Sequence, residues 1–284
     1  MAIDIYNIIE AKEIEGSGLD IEVTGEGIGS IPLDESNLVY VSMKTVFDEV
    51  GYKHRGISLK LTNGIPLTRG LGSSAACIAG GMAAANVIAG RPLTTKQIIN
   101  MAARMDGHPD NVLPAIVGGL TVGCMHEEEV FYVRLDPPLN VKFAVLIPDF
   151  ELETSIARKV LPTHIPVADA VFNIGRAALM IASLMTGEMD NLLVATDDRI
   201  HQPYRKGFIP GFDEILSACK KYGARGVFLS GAGPAVIAIL NGGYEQFQND
   251  LCGVLSHFKQ NWDVRLFDLC RNGIKVESES GRDV

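Results

Sequence analysis

The chain has 284 residues, 47% of them hydrophobic and 21% charged, with a formal charge of −9. That length suits one large or two moderate globular domains, and the acidic balance argues against nucleic acid, whose phosphates attract basic surfaces. The five cysteines (Cys77, Cys124, Cys219, Cys252 and Cys270) are scattered without metal spacing, as reduced thiols of a cytoplasmic protein would be. No basic leader opens the chain, and no apolar run is expected to reach the roughly twenty residues that span a bilayer. A membrane partner is therefore not expected.

In chain order, Leu19 to Thr24 alternates as a strand, and so does Gly56 to Thr62. Between them Leu38, Val41, Val46 and Val50 give Asn37 to Val50 a helical face. A helix from Ser74 to Ala89 is Ala-rich and carries Gly80 and Gly81 in its interior. Each glycine costs about 1 kcal/mol relative to alanine, which fits a helix lying close against a sheet. Gly90 and Pro92 end it, Thr94 or Thr95 caps a second helix through Met105, and Gly107 stops that one. Strands follow at Gly119–Cys124, Val130–Leu135 and Val141–Ile147, with Glu127 to Glu129 as a solvated hairpin tip.

Pro148 to Glu153 reads as a hinge, dividing the chain into domains 1–148 and 149–284. Beyond it, Ala168–Met185 is a long apolar helix expected in a core. Helices at Gly211–Tyr222 and Tyr244–Phe258 and strands at Val227–Leu229, Ala235–Leu240 and Val264–Leu269 complete the second half. Strands and helices in this irregular order indicate an α+β layout in each half.

One string carries most of the functional signal. After Pro66 and Arg69, the residues Gly70-Leu71-Gly72-Ser73-Ser74-Ala75-Ala76 join a strand to the N-terminus of the Ala-rich helix. Glycines let successive N–H groups face one concavity, and the helix dipole adds positive potential there. Two serine hydroxyls at its mouth suit phosphate oxygens or Mg²⁺. The Walker A spacing and its lysine are missing. So are the third glycine of a G-x-G-x-x-G dinucleotide fingerprint and the acidic residue at the end of a following strand. A second cluster, Asp106-Gly107-His108-Pro109-Asp110-Asn111, packs two carboxylates, an imidazole and an amide into one turn. Such residues are ordinary turn chemistry, and they also supply what a phosphoryl transfer needs around a metal and an acceptor alcohol.

The glycine string resembles the second motif of the GHMP kinases, and the Gly-His-Pro-Asp-Asn string resembles their homoserine kinase branch. Thr154-Ser155-Ile156-Ala157-Arg158 is similar to that branch's Thr-x-x-Ala-Arg motif. His201-Gln202-Pro203-Tyr204-Arg205 matches it too, and Leu229 to Ala235 resembles the third GHMP motif. The resemblance implies a two-domain α+β fold, with a ribosomal-protein-S5-domain-2-like N-terminal half and a ferredoxin-like C-terminal half. It implies ATP as phosphoryl donor, L-homoserine as acceptor, Mg²⁺ as metal, and a homodimer, since the family is often dimeric. By residue, it implies that Asn37 touches the adenine and that Ser73 or Ser74 holds Mg²⁺ together with Asp106, where the family usually has Glu. His108, Asp110 and Asn111 would line the amino-acid site, Thr154 would sit near the acceptor hydroxyl, and Arg158 and Arg205 would grip the substrate carboxylate. Met1 to Asn7 resembles the residues that follow the family's first motif, so a first sheet without its opening strand is expected. Two alternatives stay open: a GHMP kinase for another alcohol, and a nucleotide-binding member with impaired catalysis.

Overall fold

A computed structural model describes residues 1–138 and 141–277. The chain forms two compact units. The first comprises Met1–Leu67, Gly72–Leu135 and the described residues from Cys270 onward; the second comprises Thr68–Leu71 and Asp136–Leu269.

The first unit contains β1 (Asn7–Ile14), β2 (Leu19–Gly25), α1 (Leu38–Val50), β3 (Gly56–Asn63) and α2 (Ser73–Ile88). It continues with α3 (Thr95–Asp106), α4 (Val112–Val117), β4 (Leu120–His126) and β5 (Glu129–Leu135). Its main sheet runs β1-β3-β2, antiparallel between β1 and β3 and parallel between β3 and β2. The parallel pair needs a crossover, and α1 supplies it. Ile57, Leu59 and Leu61 of β3 alternate inward and are buried against Met43, Val46 and Phe47 of α1 and Met82 of α2. β4 and β5 form a separate hairpin turning at Glu127, which has φ 54°.

The interior glycines of α2 meet the expectation at one position and correct it at the other. A Cβ on Gly80 would lie 2.5 Å from Ile9 of β1, so that residue does face the sheet. A Cβ on Gly81 would lie 2.6 Å from the Val39 carbonyl, so this glycine admits helix α1 instead. Thr94 caps α3 in a reciprocal capping box with Gln97, and Gly107 ends it in the left-handed conformation.

The second unit contains β6 (Lys142–Pro148), α5 (Thr154–Lys159), α6 (Val167–Thr186), α7 (Leu192–Ala195) and α8 (Gln202–Arg205). Then come α9 (Phe212–Lys221), β7 (Gly226–Leu229), β8 (Val236–Leu240), α10 (Tyr244–Leu255) and β9 (Trp262–Phe267). Its antiparallel sheet has the order β7-β8-β6-β9. Chain order β6, helices, β7, β8, α10, β9 with that strand order is the split βαβ arrangement of a ferredoxin-like domain. Because β6 is a central strand of this sheet, it belongs to the second unit, and the hinge expected from Pro148 to Glu153 lies inside that unit.

Helix α6 corrects two expectations. It is not a core element: only Ser183 and Leu184 are buried, while Val167 is 79% exposed and Ile174 70%. It is also long and apolar enough, by length and composition, to cross a bilayer, so the described residues do hold a segment of that length. A polar edge ties it to the unit. Asn173 hydrogen-bonds Asp198, Asp169 pairs with Arg199 at 3.2 Å, and Arg176 and Arg199 both stack on the Phe172 ring.

Candidate active site

In the first unit, the second half of the glycine string leads into α2. Gly72 adopts φ 77° and is the residue from which the helix starts, with no side chain capping the first turn. The leading N–H groups of a helix lack intrahelical partners, so this end offers donors and positive dipole potential. A Cβ added at Gly72 would meet only Asn111 Oδ1, at 3.9 Å. The concavity is therefore open, and Asn111 of the second cluster stands at its edge. Ser73 is buried and Ser74 exposed. Asn7 donates through Nδ2 to Ser73 Oγ at 3.5 Å and accepts the Ile65 N–H at 3.1 Å through Oδ1, joining β1 to the approach of the cradle. Sequence reasoning missed Asn7, whose partners lie far along the chain.

Asp106 ends α3, Gly107 turns the chain, and Asn111 begins α4. His108 Nδ1 lies 3.2 Å from Asp106 Oδ2 and 2.7 Å from Asp110 Oδ1. One ligand atom from each of Asp106, His108 and Asp110 lies within 4.8 Å of the others. Carboxylate oxygens are the donors that Mg²⁺ prefers, so two of these three residues suit that ion. The imidazole thus stands between the two carboxylates.

Asn37 plays a different part from the expected one. It is buried and caps α1, its Oδ1 accepting from Val39 N at 3.0 Å and its Nδ2 donating to the Pro32 carbonyl at 2.8 Å. Both ends of the amide are engaged with backbone, so the side chain holds this segment.

The second unit holds the rest. Residues 68–71 pack with it, and Gly70 (φ 73°) lies flat on the loop after β7. A Cβ there would fall 2.2 Å from the Ser230 carbonyl oxygen and 2.8 Å from Gly233 N, so no side chain fits. Ser230 Oγ donates to the Gly70 carbonyl at 2.8 Å, and Ala235 N donates to the Arg69 carbonyl at 3.2 Å. Arg69 was expected among the nucleotide-binding residues. Its guanidinium instead donates to the carbonyls of Pro148 at 2.9 Å and Asp149 at 3.1 Å and lies 3.5 Å from Glu151. It straps the string to the end of β6. Pro66 is buried in the first unit.

Thr154 and Arg158 are exposed on α5. Arg205 is buried and donates through Nε to the Ala157 carbonyl at 3.0 Å and through Nη1 to the Gly231 carbonyl at 2.9 Å. Burial pulls its guanidinium below the ordinary arginine value; Asp198 opposes the shift and Arg158 adds to it. The two arginines are thus electrostatic neighbours, and Arg205 joins α5 to the third glycine motif. Asp198 supports this region from beneath α8. Burial alone pushes its carboxyl up, but hydrogen bonds from Asn173 and from the N–H groups of Gln202, Ile200 and His201 outweigh that, leaving it below the usual carboxylate value. Burial likewise lowers the His201 imidazole, against the pull of Asp198 and with that of Arg205.

Comparison with known proteins gives a consistent result. The profile for the GHMP kinases N terminal domain matches residues 37–119, and that for the GHMP kinases C terminal matches residues 177–255. A homoserine kinase of Petrotoga mobilis is 49% identical over 99% of this chain and 91% of its own length. One of Caldicellulosiruptor saccharolyticus is 48% identical over 98% of this chain and 90% of its own. The crystal structure of homoserine kinase from Cytophaga hutchinsonii superposes with a TM-score of 0.86 at 27% identity, covering 95% of this chain and 89% of that one.

Proposed function

The chain belongs to the homoserine kinases of the GHMP kinase family, and from that premise we infer that it transfers the γ-phosphoryl group of ATP to the side-chain hydroxyl of L-homoserine. The products are ADP and O-phospho-L-homoserine, an intermediate for threonine biosynthesis. The observation that carries the reading at the level of chemistry is Gly72, which opens α2 at φ 77° and where, among the described residues, an added Cβ would approach Asn111 Oδ1 no closer than 3.9 Å. A turn of that kind, followed by uncapped N–H groups and two serines, suits a polyphosphate.

The residues divide the work. The backbone from Leu71 into α2 holds the phosphates, and Ser73 or Ser74 with Asp106 would hold Mg²⁺. When bound, that ion would offset the charge of the phosphates. His108, Asp110 and Asn111 line the amino-acid site. Arg158, exposed beside Arg205, takes the substrate carboxylate in the planar fork geometry of a guanidinium. Thr154, at the start of the same helix, orients the acceptor hydroxyl. No side chain is set apart as a strong base. Positioning and charge neutralisation carry the in-line transfer. The cysteines among the described residues are all free thiols, in keeping with a cytoplasmic enzyme.

A coupled ADP-release assay with L-homoserine, L-serine and mevalonate tests this reading. Turnover that requires L-homoserine supports it, and a preference for mevalonate would overturn it in favour of another GHMP kinase.

A further inference from the structure

We propose that Ser230 is a positioning residue for the nucleotide, acting through a single peptide plane. Ser230 is buried, and its hydroxyl donates to the Gly70 carbonyl at 2.8 Å. That carbonyl and the N–H of Leu71 belong to one planar trans peptide, so they point in opposite directions. Holding the Gly70 oxygen against the Ser230 loop therefore turns the Leu71 N–H away from it. Among the described residues no backbone carbonyl accepts that N–H. It is the first amide of the run Leu71-Gly72-Ser73 that leads into α2.

The restraint is needed because Gly70, at φ 73°, has no side chain to limit its rotation, and glycine populates both signs of φ about equally. Packing alone fixes where the Gly70 Cα lies, since the Ser230 carbonyl and Gly233 leave no room around it. It does not fix which way the next peptide faces; the hydroxyl does. Arg205 steadies the Ser230 loop in turn by holding the Gly231 carbonyl at 2.9 Å. The Leu71 N–H is thereby presented to a phosphate oxygen, and the third glycine motif contributes to nucleotide affinity without touching the nucleotide.

This inference rests on the reading of the cradle as a triphosphate site, and the experiment separates the two. Affinities for Mg-ATP, ADP and adenosine are measured by calorimetry on the full chain and on Ser230→Ala. The expected result is about a tenfold loss for ATP and ADP, the scale of one hydrogen bond to a charged group, with adenosine within twofold. Equal losses for all three, or no loss for ATP, would overturn the role of Ser230. A wild-type chain that binds neither ATP nor ADP would overturn the functional reading itself. Should Ser230→Ala fail to fold, hydrogen exchange at the Leu71 amide of the wild type decides. Exchange slowed at least tenfold by ADP and not by adenosine supports the proposal, and exchange indifferent to ADP overturns it.

Discussion

Gly70 and Gly72 stand two residues apart at φ 73° and 77°, yet alanine at these positions should have different consequences. A left-handed alanine costs about 1–2 kcal/mol at either site. At Gly72 little is added, because the new Cβ would meet nothing nearer than Asn111 Oδ1 at 3.9 Å. At Gly70 the Cβ would sit 2.2 Å from the Ser230 carbonyl oxygen, and all three nearest atoms are backbone that cannot swing aside. The two segments must part by about 1 Å to restore an ordinary contact. That movement breaks the Ser230 hydroxyl bond to Gly70 and the Ala235 amide bond to Arg69. At about 0.5–1.5 kcal/mol each, their loss brings the total for Gly70→Ala to about 2–5 kcal/mol. Thermal unfolding should register a fall of roughly 10 °C for Gly70→Ala and roughly 4 °C for Gly72→Ala. ATP affinity, measured on the same samples, should fall in both, since a methyl group at Gly72 would intrude into the proposed phosphate site. Equal melting temperatures for the two variants would refute the close packing of Gly70 on the Ser230 loop.

Arg158→Ala should raise KM for L-homoserine about ten- to a hundredfold and leave KM for ATP within twofold; equal losses for both substrates would show that Arg158 does not read the carboxylate. Arg205→Lys keeps the charge but cannot reproduce two donations to carbonyls in fixed fork geometry, so it should lower the melting temperature and weaken both substrates together. Titrating Mg²⁺ against activity should show Asp106→Ala needing at least tenfold more metal for half-maximal turnover, with the homoserine KM little changed. Asp198 has a folded pKa below its unfolded value, so its contribution to stability is present above the ordinary carboxylate value near 4 and is lost as pH falls through the folded value. Asp198→Asn should therefore melt lower than the wild type at pH 7, and the gap should close in acid; a gap that persists at pH 2 would contradict the assignment.

Helix α1 and the strands and long helices of the second unit have a periodicity that is local, and the sequence determined them closely, whereas the strand order β7-β8-β6-β9 is a long-range pairing that the fold decides. The Ser73 helix, the Thr94 cap and the Gly107 stop depend on neighbours three or four residues away, so they are legible from the chain alone. The turn and helix start on which the proposed phosphate site rests were legible for the same reason: glycine spacing and a helix start are properties of a short stretch. Partners far apart in the chain were not. Arg69 and Arg205 look in sequence like arginines free to take an anion, but their guanidinium groups are committed to backbone carbonyls at Pro148, Asp149, Ala157 and Gly231. Asn37 has the residue type of a base-reading amide, and the turn at Pro32 makes it a cap. The apolar composition of α6 predicted burial, but whether a helix is covered depends on what the rest of the fold lays over it, and here little is. The bond between Ser230 and Gly70 spans 160 residues, and only tertiary structure brings those two groups within 2.8 Å. Sequence supplied the donors and acceptors; the fold decided which of them remained available for a ligand, because each hydrogen bond made inside the protein removes one from the site.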